Sequence, residues 1–142
     1  MATGGDSEVE KLKGTWDYID NENFDDFMKE LGISWVVRTA AKAVRSEKLI
    51  ISENNGKWTL RSESTFKNTS YEFVPGVEFN ETRADGAEIK GTITFSNGRW
   101  VHKAVDKGGK VAMIERYLDE EGQQQVVMTC GKVTAKRWYK RA

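Results

Sequence analysis

The residues of this chain best suited to chemistry lie near its end, in Val133-Thr-Ala-Lys-Arg-Trp-Tyr-Lys140. Read as an extended strand, the run sets Val133, Ala135, Arg137 and Tyr139 on one face and Thr134, Lys136, Trp138 and Lys140 on the other, because successive side chains alternate. Two lysines and a threonine mark the second face as solvated, so the first, with an arginine two residues before a tyrosine, should point inward. A guanidinium keeps its proton, and burying it is costly unless an anion meets it. A carboxylate matches the guanidinium fork, and a phenol two residues on adds a donor. That carboxylate is either a ligand's or an acidic side chain's, and a register slipped by one residue would instead turn Arg137 to water.

A second arginine keeps apolar company. In residues 110–118, alternation sets Ala112, Ile114, Arg116 and Leu118 against Val111, Met113, Glu115 and Tyr117, with neither face plainly polar. If both arginines point inward they stand two strands apart, roughly 10 Å by strand spacing, and can grip one carboxylate directly or through water. No catalytic set competes with this pair. Cys130 has no base evident in the sequence, and the single His102 reads as a strand residue and not as a general base. The glycine-rich spots are hairpin turns and match no phosphate loop.

What must position these side chains is a train of short strands. From Lys48 onward, β-branched and aromatic runs alternate with Asn55-Gly56, Asp85-Gly86, Asn97-Gly98, Gly108-Gly109 and Glu121-Gly122, with further breaks at Pro75-Gly76 and Gly131-Lys132. Such spacing is that of successive hairpins. It divides the chain into about ten strands, near 12–20, 48–54, 57–63, 66–73, 77–83, 87–95, 99–105, 110–118, 123–130 and 133–140. Between the first two, Phe24, Phe27, Met28 and Leu31 are spaced for one face of a helix that Gly32 ends. Ser34 to Arg45 reads as a second helix, with Trp35, Val36, Thr39, Ala40 and Ala43 toward the protein and Arg38, Lys42 and Arg45 toward solvent. That basic face is first of all a solvated surface, with membrane docking as the functional alternative. Residues 1–10 read as a flexible leader ahead of a single domain over 11–142. A meander this long either exposes its edges or closes, and a closed barrel of ten strands encloses more space than one layer of side chains fills. A ligand cavity follows.

Composition narrows the classes further. Lysine plus arginine equals aspartate plus glutamate at 22 each, so no broad field draws nucleic acid. One cysteine cannot form an internal disulfide, and one histidine cannot anchor a zinc cluster alone, so no metal or cofactor is expected. The polar, acidic opening is unlike a signal peptide, which suggests an intracellular protein. Hydrophobic types make up 38% of the chain, with a mean hydropathy of −0.64, so the interior should be partly polar.

From about Leu12 to its end the chain resembles the fatty-acid-binding proteins, a family of intracellular lipid-binding proteins related to the cellular retinoid-binding proteins. Gly14-Thr-Trp16 and Glu22-Asn-Phe-Asp-Asp-Phe-Met-Lys-Glu-Leu-Gly32 resemble the family's opening strand and first helix. Ser62-Glu-Ser-Thr-Phe-Lys-Asn-Thr69 and Glu78-Phe-Asn-Glu-Thr-Arg-Ala-Asp85 resemble its central strands, and Ile114-Glu-Arg116 and Arg137-Trp-Tyr139 its carboxylate-binding elements. Departures are Arg45-Ser-Glu-Lys48 where a proline is frequent, and Ala87 where a basic residue is common.

The resemblance implies an all-β fold, a ten-stranded antiparallel up-and-down β-barrel (a clam) with a helix-turn-helix cap between its first two strands. It implies reversible binding and transport of long-chain fatty acids in the cytoplasm, with the nucleus as a second compartment. The head-group roles fall to Arg116, Arg137 and Tyr139. The portal falls to the helices with Phe66 and the Ala84-Asp85 turn, and the cavity lining to Phe24, Phe27, Met28, Ile114, Val126 and Met128. A retinoid or other hydrophobic acid is the alternative cargo; a lipid-modifying enzyme and an interaction scaffold are the alternatives of other classes. The expected partners are the lipid acid and anionic membranes touched transiently by the cap, with no nucleic acid, and the protein is expected to be a monomer.

Overall fold

In the computed structural model, which describes residues 4–142, each run between glycine breaks becomes a strand. The strands are β1 (Gly14–Glu22), β2 (Glu47–Asn54), β3 (Lys57–Ser64), β4 (Thr69–Phe73), β5 (Phe79–Thr82), β6 (Glu88–Ser96), β7 (Arg99–Asp106), β8 (Val111–Leu118), β9 (Gln124–Cys130) and β10 (Val133–Arg141). Helices α2 (Phe24–Glu30) and α3 (Trp35–Lys42) lie between β1 and β2, and α1 (Gly4–Glu10) precedes them all. The sheet runs β4-β3-β2-β1-β10-β9-β8-β7-β6-β5, every pair antiparallel, so the first and last strands pair and draw the meander into a nearly closed barrel. Its two edges, β4 and β5, share no ladder; there Tyr71 and Phe73 pack on Phe79 with ring centroids 5.2 and 5.8 Å apart. The hairpins at Asn55-Gly56 and Asn97-Gly98 put both residues at positive φ, 53° and 85° in one and 53° and 78° in the other. That is the two-residue turn whose twist matches the flanking strands.

The end of the barrel opposite the α2–α3 cap is plugged by rings. Trp100 meets Trp58 and Phe73 edge-on at 5.8 and 4.9 Å, and Trp58 meets Phe95 at 5.0 Å. Helix α1 closes over this end against β6 and β7, which corrects the expectation of a flexible leader over residues 1–10. Val9 and Leu12, one helical turn apart, are both 0% exposed, and the Trp16 indole donates to the Leu12 carbonyl at 2.9 Å. Burying two aliphatic side chains is what orders the segment. Residues 1–3 of the expected leader lie outside the described residues. The Arg141 guanidinium donates to the carbonyls of Lys11 (2.7 Å) and Lys13 (2.9 Å), fastening the last strand to this segment.

The cap is held differently. Asn23 caps α2 in a left-handed conformation (φ 62°), and its amide donates to the Thr134 carbonyl of β10 at 2.9 Å. Phe27 and Met28 then turn into the barrel. Helix α3 is rotated from the expected face: Trp35 and Val36 are 67% and 71% exposed, while Val37, Ala41 and Val44 line the interior. Arg38 is not a solvent residue either, because it donates to Asp25 at 3.2 Å and to the Ile33 carbonyl at 2.7 Å. The stripe 37, 41, 44 follows the helical period, and the anion and open carbonyl beside Arg38 offset its burial.

Candidate functional site

A cavity of about 300 Å³ runs through the barrel, at the small end of ligand pockets. It is lined by Phe24, Phe27 and Met28 of α2, Phe66, Ala84 and Asp85 of two turns, Ile114 and Arg116 of β8, Val126 and Met128 of β9, and Arg137 and Tyr139 of β10. All twelve residues singled out from the sequence thus surround one space. Register explains why the two arginines share it. Arg116 and Arg137 both pair with Val126, from its two sides, so the three side chains form one row across β8, β9 and β10.

Of the two partners open to Arg137 in the sequence, an acidic side chain is the one the fold supplies. Arg137 Nη2 donates to Glu47 Oε1 at 2.6 Å, Tyr139 Oη donates to the same oxygen at 2.7 Å, and Arg137 Nε donates to Tyr139 Oη at 3.1 Å. The Ser62 hydroxyl donates to the other oxygen, Glu47 Oε2. Stacking completes the cage, with the guanidinium carbon 4.5 Å from the Tyr18 ring centroid and 4.7 Å from that of Phe24. Burial pushes the Glu47 carboxyl up, but the Arg137 charge and the bonds from Ser62, Tyr139 and Arg137 outweigh it and hold the carboxyl below the usual glutamate range. Burial alone would lower Arg137 and does raise Tyr139; the neighbouring Tyr139 and Glu47 raise Arg137 on balance, so the guanidinium stays charged and the phenol protonated.

Arg116 is less well matched. Its Nη1 donates to Gln124 Oε1 at 3.2 Å, but its Nε, Gln124 Nε2 and Tyr71 Oη are buried with no hydrogen-bond partner among the described residues. Two unpartnered polar groups beside a cation whose own Nε is unpartnered form a place that favours an anion. Burial pushes the Tyr71 phenol well up, so it remains a proton donor. Further along the wall His102, 2% exposed and read from sequence only as a strand residue, meets Glu81 Oε2 at 2.6 Å through Nε2. Gly91 leaves room for that pair, since a Cβ there would stand 2.5 Å from Glu81 Oε2 and 3.0 Å from His102 Nε2.

The turns carrying Phe66 and Ala84-Asp85 line the same cavity as Val37 and Ala41 of α3. Arg83 donates from Nε and Nη2 to Asp85 at 2.7 and 2.9 Å, and these bonds hold the Asp85 carboxyl below its usual range against the effect of burial. Glu47, Ser62, Tyr71 and Gln124 were not singled out from the sequence. Glu47 had a signal: alternation puts it with Leu49 and Ile51 on the buried face of β2.

A ten-stranded barrel around a cavity with apolar walls and clustered cations is a binding barrel for small amphipathic molecules. Residues 13–142 match the model of the lipocalin / cytosolic fatty-acid binding protein family, and the chain belongs to that family. It is 38% identical over 134 residues to fatty acid-binding protein homolog 5 of Caenorhabditis elegans, covering 92% of this chain and 96% of that one. It is 41% identical over 134 residues to the adipocyte fatty acid-binding protein of Pygoscelis papua, covering 94% and 98%. Among solved structures it resembles a Schistosoma mansoni fatty acid binding protein in complex with arachidonic acid, with a TM-score of 0.88 and 32% identity over 95% of this chain and 98% of that one.

Proposed function

We propose that this protein binds and carries a long-chain fatty acid, with the tail along the apolar wall and the carboxylate at Arg116, Arg137 and Tyr139. The observation that carries the reading is Glu47: a carboxylate oxygen already accepts from Arg137 and Tyr139 inside the cavity, at 2.6 and 2.7 Å. A lipid acid presents the same atoms. At ~0.8 kcal/mol per methylene, a tail of about sixteen carbons offers on the order of 12 kcal/mol gross, before ordering and association costs. One charge-assisted hydrogen bond offers ~1.5–3 kcal/mol. The tail therefore supplies most of the affinity, and the head group sets direction and selects an acid.

The reading is of a carrier and not an enzyme, acting in the cytoplasm. Exchange proceeds at the mouth between α3, Phe66 and the Ala84-Asp85 turn. The cap touches membranes with the exposed Trp35 and Val36 and the basic Arg45, since Arg38 and Lys42 lie beside Asp25, and Lys48 is 3.1 Å from Asp17. Native mass spectrometry of the protein as purified, with extraction of its lipid, tests the carrier reading; a one-to-one complex with a long-chain acid is expected. Arg116→Ala should weaken fatty-acid binding about ten- to a hundredfold, the worth of one such bond. Unchanged affinity would remove Arg116 from the head-group site.

A further inference from the structure

Two cations of the row across β8, β9 and β10 face one fixed anion that β2 supplies across the cavity. Arg116 and Arg137 bring two positive charges, and Glu47, whose side chain is 13% exposed, brings one negative charge. Glu47 spends both oxygens on the site, one on Arg137 and Tyr139 and the other on Ser62. Tyr139 has one hydroxyl proton and gives it to Glu47, so a lipid carboxylate seated at Arg137 and Tyr139 gains that bond only if Glu47 releases it. The lipid takes an acceptor position that a carboxylate of the same kind holds, and the bonds gained are offset by the bonds Glu47 gives up.

We propose that Glu47 is the specificity-determining residue of this cavity: an internal competitor for the head-group donors, which lowers the preference for a lipid acid over a neutral lipid of the same length. The inference rests on the head-group placement proposed above. Position lets Glu47 yield. It opens β2 directly after the connection from α3, whose residue Val44 lines the mouth, so a released carboxylate reaches water from there. Electrostatics sets the sign of its effect. With Glu47 in place, the row and Glu47 together carry one net positive charge for an incoming anion; with a neutral side chain there, they carry two, and the position at Arg137 is held only by a weaker, uncharged acceptor. Tail burial is the same for an acid and an alcohol, so their affinity ratio isolates the head group.

The experiment titrates palmitate and hexadecanol, in parallel, into wild type, Glu47→Gln, and the Glu47→Gln/Arg137→Ala double variant. Expected is an acid-to-alcohol affinity ratio about tenfold higher in Glu47→Gln than in wild type, about one charge-assisted bond, with the gain lost in the double variant. A ratio that stays level or falls in Glu47→Gln overturns the proposal, and wild type that still binds palmitate in that case leaves the carrier reading standing. Palmitate bound by neither protein overturns both. If Glu47→Gln does not fold, Ser62→Ala decides: it frees Glu47 from one donor, so the ratio should rise severalfold, and no rise overturns the proposal.

Discussion

Trp100 is 0% exposed and edge-on to Trp58 and Phe73, while Trp35, on the cap, is 67% exposed. The same residue type does opposite work at the two ends of one barrel. At the plugged end, rings and aliphatic side chains from α1, β3, β4, β6 and β7 interlock, and Val9, Trp58, Phe73, Phe95 and Trp100 do not line the cavity. At the capped end, α2 buries Phe27 and Met28 but α3 buries no residue fully and is tied to α2 by the Arg38–Asp25 ion pair, while Arg83 and Asp85 pair within their own turn. Packing of the first kind is lost all at once and at high cost. Contacts of the second kind are exchanged for water or a ligand at small net cost. On the proposed reading, stability and access fall to different ends.

The largest test of this division is Trp100→Ala, which should remove ~3–5 kcal/mol of stability, read from urea unfolding. A loss under about 1 kcal/mol would mean that the plug is not where the stability resides. Acid should have a smaller effect, centred on Glu47. Its folded carboxyl is held below the ordinary value of 4.5, so the folded state binds fewer protons than the unfolded chain. The stability it contributes is complete above that value and is lost as pH falls through the folded one. Between neutral pH and about pH 3, wild type should therefore lose more stability than Glu47→Gln does, by no more than ~2 kcal/mol. Equal slopes would show that the ion pair adds nothing. Smallest is Trp35→Ser, expected to shift stability by no more than ~0.5 kcal/mol while slowing transfer of lipid to vesicles. A large loss of stability there would erase the contrast between the ends.

The strands were legible because asparagine-glycine and aspartate-glycine turns are local signals, and the inward face of β10 because two lysines and a threonine marked the other side. The face of α3 was not. Trp35 and Val36 are as plausible an inward set as Val37, Ala41 and Val44, and only packing against the barrel decides which set turns in. Arg38 misled for a related reason, since its partners Asp25 and the Ile33 carbonyl lie in another helix and a turn. The order of α1 was hidden by acidic neighbours around Val9. Within the site, Arg116, Arg137 and Tyr139 could be found from strand alternation, whereas the meeting of Glu47 with Arg137 spans 90 residues and depends on closure of the sheet. Its facing was readable from Leu49 and Ile51; its partner was not.

Along every other line of the wall, widening the barrel would break a ladder of backbone hydrogen bonds. Between β4 and β5 it would only slide Tyr71 and Phe73 over Phe79. That line is an expansion joint: the girth of the barrel can change there without unzipping a strand. Tyr71 belongs both to the joint and, through its phenol, to the surroundings of Arg116, so a shift of the wall there also moves a donor beside Arg116.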